Sequence, residues 1–155
     1  QLSFHAQGAM QYGTRIHAYI EALPNRIWNA SDYDSLTPLP SDHERIVLQA
    51  LNENALYRKA LSYQEVYHEY PFSVCIDHEI IHGFIDFAAI GEDIIIIDFK
   101  TDSGLTAEAL IKRYREQLDV YAKAMYKLYP KKQIRTYLYS LSLHKEIEVG
   151  SYVKG

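Results

Sequence analysis

Four consecutive isoleucines, Ile94 to Ile97, constrain this chain more than any other feature. So short and apolar a run, entered from Gly91-Glu92-Asp93, reads as a strand buried on both faces. The same strand runs straight into Asp98, Phe99, Lys100, Thr101 and Asp102. Charges at the end of a buried strand are costly unless they are paired, coordinated or used. Whatever the chain folds into must give Asp98 and Lys100 something to do.

The preceding strand shows what that is. If Gly91-Glu92-Asp93 forms a hairpin loop, Ile90 pairs with Ile94, Asp86 lies opposite Asp98, and Phe84 lies opposite Lys100. Opposed residues hold their Cβ atoms about 4.5–5.5 Å apart, and Lys100, two positions on, projects from the face of Asp98. Two carboxylates and an ammonium therefore converge. The carboxylates repel, so one pKa rises unless a cation lies between them. Oxygen ligands so placed suit Mg²⁺, which takes one or two carboxylates plus waters and a substrate phosphate. A lysine beside such a phosphate can stabilise developing charge or position the attacking water. A plain Asp86–Lys100 salt bridge at the sheet end accounts for the same residues without chemistry, and spacing alone does not choose.

Helical spacing of Ile16, Tyr19, Ile20 and Leu23 predicts a first helix from Tyr12 to Leu23, stopped at Pro24. Residues 25–40 are rich in Pro, Asp and Ser and read as connection. Ser41 and Asp42 cap a second helix running to about Lys59. Residues 62–76, 79–90 and 93–100 read as three strands joined by short turns. A long helix follows from Thr106 to Tyr129, ended by Pro130, and two strands at 134–143 and 145–153 close the chain. The order is that of a mixed α/β fold whose central strands form an antiparallel meander, not of a doubly wound sheet.

Composition excludes several classes. At 155 residues the chain suffices for a single domain. It has no apolar run long enough to span a membrane, so no membrane partner is expected. Cys75 is the lone cysteine, which rules out a disulfide framework and any four-cysteine metal site, and fits a reducing cytoplasm. Neither phosphate-binding glycine loop of the nucleotide-dependent enzymes is present. The opening on Gln1 suggests a domain of something longer. The net charge of −4 is uneven: residues 1–110 carry a balance of −10 and residues 111–155 one of +6. The basic part reads either as a solvated helix face or as a phosphate-facing surface beside an acidic, cation-hungry site.

"GFID" followed by "DFKT" resembles the core of the PD-(D/E)XK nuclease superfamily, in its RecB/AddA-like branch. That branch has a G-x-x-x-H helix, matched by "GTRIH" with His17, and a glutamate before Pro-Phe, matched by "EYPF" with Glu69. It also has Q-x-x-x-Y on the helix after the lysine, matched by Gln117 and Tyr121. Each motif is weak, but the ordered set, over residues 13–121, is specific. The resemblance implies a restriction-endonuclease-like core, a central mixed sheet with an antiparallel meander flanked by helices. It implies a metal-dependent DNA nuclease of exonuclease type, at work on DNA ends in recombination and repair. His17, Asp86, Asp98 and the Phe99 carbonyl are implied around Mg²⁺, with Mn²⁺ as a substitute, Lys100 as catalytic and Glu69 as a supporting acid. It further implies that all 155 residues form one nuclease domain of a helicase–nuclease, whose partners are DNA and either helicase domains or a partner subunit. Branches that hold an iron–sulfur cluster on four cysteines are excluded by the single Cys75. Ile85 stands where the superfamily name has proline, which leaves Asp86 in place.

Each residue also has a plainer reading. His17 could be a helix-face histidine hydrogen-bonded to the sheet, Glu69 an outward strand residue, and Gln117 and Tyr121 a capping and packing pair. The four-residue spacing of the last two puts them on one helix face. Lys112, Arg113, Arg115, Lys123 and Lys127 are the candidate phosphate contacts. The competing function is a catalytically silent nuclease fold kept for DNA binding or docking to another subunit; a nuclease acting on RNA ends or in a restriction system is a further alternative. Degenerate copies ordinarily lose the aspartate or the lysine, and this chain keeps both.

Overall fold

The computed structural model describes residues 4–152, with side chains from residue 12 onward. Five strands form one sheet in the order β1 (Glu65–Ile76), β2 (Glu79–Ile90), β3 (Ile94–Lys100), β4 (Ile134–Ser140) and β5 (Lys145–Tyr152). The first three make the expected antiparallel meander, whereas β3 and β4 run parallel. A parallel pair needs a crossover, and α5 (Ala107–Leu128) supplies it. The sheet is mixed and flanked by helices, as expected.

The isoleucine run divides its burial between two cores. Ile95 and Ile97 pack with Phe87, Ala89 and Phe99 against α1 (Phe4–Ala22), α3 (Asp42–Asn52) and α4 (Ala55–Leu61), through Ile16, Ile20, Leu48, Leu51 and Tyr57. Ile94 and Ile96 pack with Ala88 and Ile90 against Leu118, Ala122 and Met125 of α5. All four isoleucines are 1% exposed or less. The loop before them is pinned from two sides: Tyr63 donates to Asp93 Oδ1 at 2.6 Å, and Lys132 Nζ donates to the Gly91 carbonyl.

Several boundaries differ from expectation; the first strand, for one, begins at Glu65 rather than 62. Helix α1 begins at Phe4 rather than Tyr12, because apolar spacing marks the packed face of a helix and not its full length. The connection at 25–40 contains a short helix, α2 (Ala30–Asp34), started by a capping box on Asn29 and Asp32. The helix expected through Lys59 is two helices, broken at Glu53. There Asn54 leaves helical geometry and caps α4, its Oδ1 receiving the Tyr57 amide at 3.0 Å. The fourth strand ends at Ser140 rather than 143, where Ser140 Oγ accepts the Leu143 amide and turns the chain.

A candidate metal-dependent nuclease site

The β2–β3 register is the expected one, from Ile90–Ile94 to Phe87–Ile97, but the backbone pairing stops there. Asp86 and Asp98 come next, and Phe84 does not reach Lys100; its backbone partner is Pro71 on β1. On the other side, β1 and β2 pair at His68–Phe87 and at Tyr70–Ile85 but skip Glu69, the residue opposite Asp86. Glu69 has φ +49°, a left-handed conformation uncommon for a side-chain-bearing residue. Both strands lose their alternation at this row. Ile85 packs in the α5-side core and Phe87 in the opposite one, although two positions apart should share a face. The sheet is thus opened along one line, Glu69–Asp86–Asp98.

The gap is held by side chains. Asp86 Oδ2 accepts the Phe99 amide at 3.0 Å. His17, on α1, places Nε2 2.7 Å from the Phe99 carbonyl and 3.3 Å from Asp86 Oδ2, while its Nδ1 lies 2.8 Å from the Gly13 carbonyl. Both ring nitrogens face acceptors, so the ring is held as imidazolium. Hydrogen bonding to Asp86 leads the causes that lift its pKa to about 9, against the opposing effect of burial. Gly13 explains its own place in the motif: a Cβ there would meet Thr101 Oγ1 at 3.0 Å, so glycine lets α1 lie close against the end of β3.

Asp98 is 1% exposed. Lys100 Nζ stands 2.9 Å from its Oδ2, a close ion pair. Burial, then the charge on Asp86, pushes the Asp98 carboxyl well above the usual carboxylate range, with Lys100 opposing. Burial acts on Asp86 in the same direction and is its largest single influence, but hydrogen bonds from His17, Asp98 and the Phe99 amide, with the charge of His17, together hold that carboxyl low. The two aspartates are a pair with divergent pKa values, the pattern expected when like charges share a dry site. Glu69, half-buried, is raised by burial and by Asp86.

The remaining candidates lie on α5. Gln117 Nε2 donates to the Tyr121 hydroxyl at 2.9 Å, and Tyr121 is buried, its ring edge-on to Phe72 at 5.4 Å. Burial raises the Tyr121 pKa, followed by the charges of Asp98 and Asp86, so the phenol faces the acidic row. Phe72 lies over Gly83, where a Cβ would approach the ring at 2.7 Å; the glycine of "GFID" makes room for the ring that packs on Tyr121. Lys112 is exposed, Arg113 bonds to Asp102 Oδ2 at 2.9 Å, and Arg115 reaches the Val149 carbonyl at 3.3 Å. Two residues of the site were not singled out from the sequence. Tyr114 carries the Lys100 ammonium over its ring at 4.2 Å, and Asp102 holds the Tyr114 hydroxyl. Their signal was present, an acid just past "DFKT" and a tyrosine three residues before Gln117, but only the packing of α5 joins them.

Among the described residues no three His, Cys, Asp or Glu side chains form a ready-made metal cage. A hard divalent cation does not require one, since Mg²⁺ keeps several waters and uses few protein oxygens. Buried Asp98, Asp86 and the Phe99 carbonyl offer that kind of oxygen set, and His17, once it gives up its proton, adds a nitrogen acceptable to Mn²⁺. The residues present fit the group.

Residues 3–153 match the family description of the PD-(D/E)XK nuclease superfamily. Three relatives are each named as one component of an ATP-dependent helicase/nuclease. The one from Carboxydothermus hydrogenoformans is 32% identical over 61% of this chain, and that from Lactiplantibacillus plantarum 36% over 56%. In Lachnoclostridium phytofermentans the identity is 41% over 48% of the chain. The matched stretches make up only 9%, 9% and 6% of those relatives. With a motif order, a mixed sheet and a family match that agree across nearly its whole length, the chain belongs to the PD-(D/E)XK nuclease superfamily.

Proposed function

We propose that this chain is a divalent-metal-dependent deoxyribonuclease that hydrolyses phosphodiester bonds at DNA ends. The observation that carries the reading is the row at the open end of the sheet. Asp86 and the buried Asp98 lie side by side, and the Lys100 ammonium stands 2.9 Å from an Asp98 oxygen. Asp86, Asp98, the Phe99 carbonyl and His17 would hold Mg²⁺ or Mn²⁺. Such an ion, when bound, supplies Lewis acidity and neutralises charge at the scissile phosphate. Lys100 stabilises the charge that develops on the phosphate oxygens or holds the attacking water. Glu69, with its raised carboxyl, is a supporting acid beside Asp86. Gln117 and Tyr121 hold one face of the site, and Lys112, Arg113 and Arg115 flank the path of the DNA backbone.

The relatives named helicase/nuclease support a wider setting, in which these 155 residues form one nuclease domain beside helicase domains or a partner subunit. That setting is DNA end processing for recombination and repair, in the cytoplasm. Among the described residues no helix is long and apolar enough to cross a membrane. The test is digestion of single-stranded, blunt linear and circular DNA with Mg²⁺, with Mn²⁺ and with chelator. Metal-dependent loss of the linear substrates ahead of the circle is expected. Tight DNA binding with no cleavage under either metal would instead establish the silent, DNA-docking module.

A further inference from the structure

We infer that Tyr114 is a positioning residue for Lys100, and that Asp102 holds it in place. The inference rests on the nuclease reading for the role of Lys100, but its geometry stands alone. Lys100 is two residues past a buried aspartate, with a long, flexible stem. The Asp98 carboxylate, 2.9 Å from Nζ, is one anchor, and a single contact fixes distance but not direction. The second anchor is the face of Tyr114, 4.2 Å from Nζ. A ring face attracts an ammonium through its quadrupole, more strongly when both are withdrawn from water, and the Lys100 side chain is only 19% exposed.

Tyr114 is itself fixed. Its hydroxyl donates to both oxygens of Asp102, at 2.8 and 2.9 Å, and Arg113 closes the set on Asp102 Oδ2 at 2.9 Å. Donation to a carboxylate also draws electron density into the phenol, which strengthens the negative face that the ammonium meets. Lys100 and Asp102 leave β3 together and α5 returns over them, so lysine, tyrosine and aspartate close into one assembly at the mouth of the site. Its function is to keep the ammonium aimed into the site when the Asp98 carboxylate is engaged elsewhere.

The test compares Tyr114→Phe, Tyr114→Leu and Asp102→Asn in the 155-residue chain, each checked for an unchanged circular-dichroism spectrum. In metal-free protein, the Lys100 Hε protons should show an upfield ring-current shift by NMR. Tyr114→Phe keeps it, Tyr114→Leu abolishes it and Asp102→Asn reduces it. With Mg²⁺ and linear DNA, Tyr114→Leu should lower kcat about tenfold at unchanged KM, with Tyr114→Phe and Asp102→Asn intermediate. An unshifted Lys100 signal in the parent, a parent-like kcat in Tyr114→Leu, or a loss confined to KM would overturn the inference. If the parent shows no nuclease activity, the functional reading fails, while the NMR result still decides whether Tyr114 holds the lysine.

Discussion

Asp86 takes the Phe99 amide at 3.0 Å, one row beyond the last backbone pair between β2 and β3. A carboxylate has replaced a strand as the hydrogen-bond partner, and the sheet stays open where the acidic residues lie. The Phe99 carbonyl, on the same residue, is turned to His17 at 2.7 Å. One strand residue thus ties α1, β2 and β3 to a single point.

The first prediction concerns pH. The folded Asp98 carboxyl is raised from 3.8 to about 7, by burial first and Asp86 second. The fold favours its protonated form. The stability it contributes is complete below the unfolded value and is lost as pH rises through the folded one. Asp98→Asn stays neutral throughout. In chelator, the parent should lose stability relative to Asp98→Asn between about pH 4 and pH 8, by up to about 4 kcal/mol for a shift of that size. Urea midpoints across that range measure it, and parallel curves would contradict it.

Saturating metal should reverse the order. Mn²⁺ at a hundredfold excess over its Kd stabilises the protein that binds it by about 2.7 kcal/mol. The parent gains this, and Asp98→Asn, with one carboxylate replaced by an amide, gains little. The variant is therefore the more stable protein without metal and the less stable with it, as read from melting temperatures at pH 8. Equal gains in both proteins would place the ion elsewhere.

Much of this site could be read from residue order. Gly91-Glu92-Asp93 set the hairpin register, and the alternation of Ile94 to Ile97 set the strand between two layers, because both are local rules of pairing and pleat. The motifs placed His17, Glu69, Asp86, Asp98 and Lys100 within one neighbourhood. Strict alternation could not show that β1 and β2 both change phase at Glu69 and Asp86, since that break is imposed by neighbours in three dimensions. Nor could it join Tyr114 and Asp102 to Lys100, which meet only when α5 crosses back over the sheet. The split at Glu53 was masked by an apolar pattern that continues from Leu51 to Leu56 across the break.

Gly83 offers a test of the packing beneath Tyr121. Gly83→Ala puts a methyl group against the Phe72 ring, and overpacking of this kind costs about 1–3 kcal/mol. In a double-mutant cycle with Phe72→Leu, the alanine should cost much less, a coupling that additive sites do not show. Chemical denaturation of the four proteins measures it, and additivity would mean that Phe72 yields freely.

The basic residues of α5 should not contribute equally to DNA binding. Arg113 is engaged by Asp102 and Arg115 by Val149, whereas Lys112 is exposed. Lys112→Gln should reduce the slope of log K against log salt by about 1. Arg115→Gln should reduce it by less. An unchanged slope for Lys112→Gln marks it as a solvated residue off the DNA path.

Asp98 and Lys100 divide the labour of the site between them, and one paired measurement tests this: calorimetric Mn²⁺ titration and DNA cleavage on the same preparations of Asp98→Ala and Lys100→Ala. Asp98→Ala should lose both metal affinity and cleavage, because a site with so few protein ligands tolerates little loss. Lys100→Ala should bind Mn²⁺ at least as tightly as the parent, having lost a neighbouring positive charge. Its cleavage should fall about 10²–10³-fold, as for removal of one electrostatic stabiliser. A Lys100→Ala protein that cuts DNA at the parent rate would reduce the lysine to a salt-bridge partner and contradict the account.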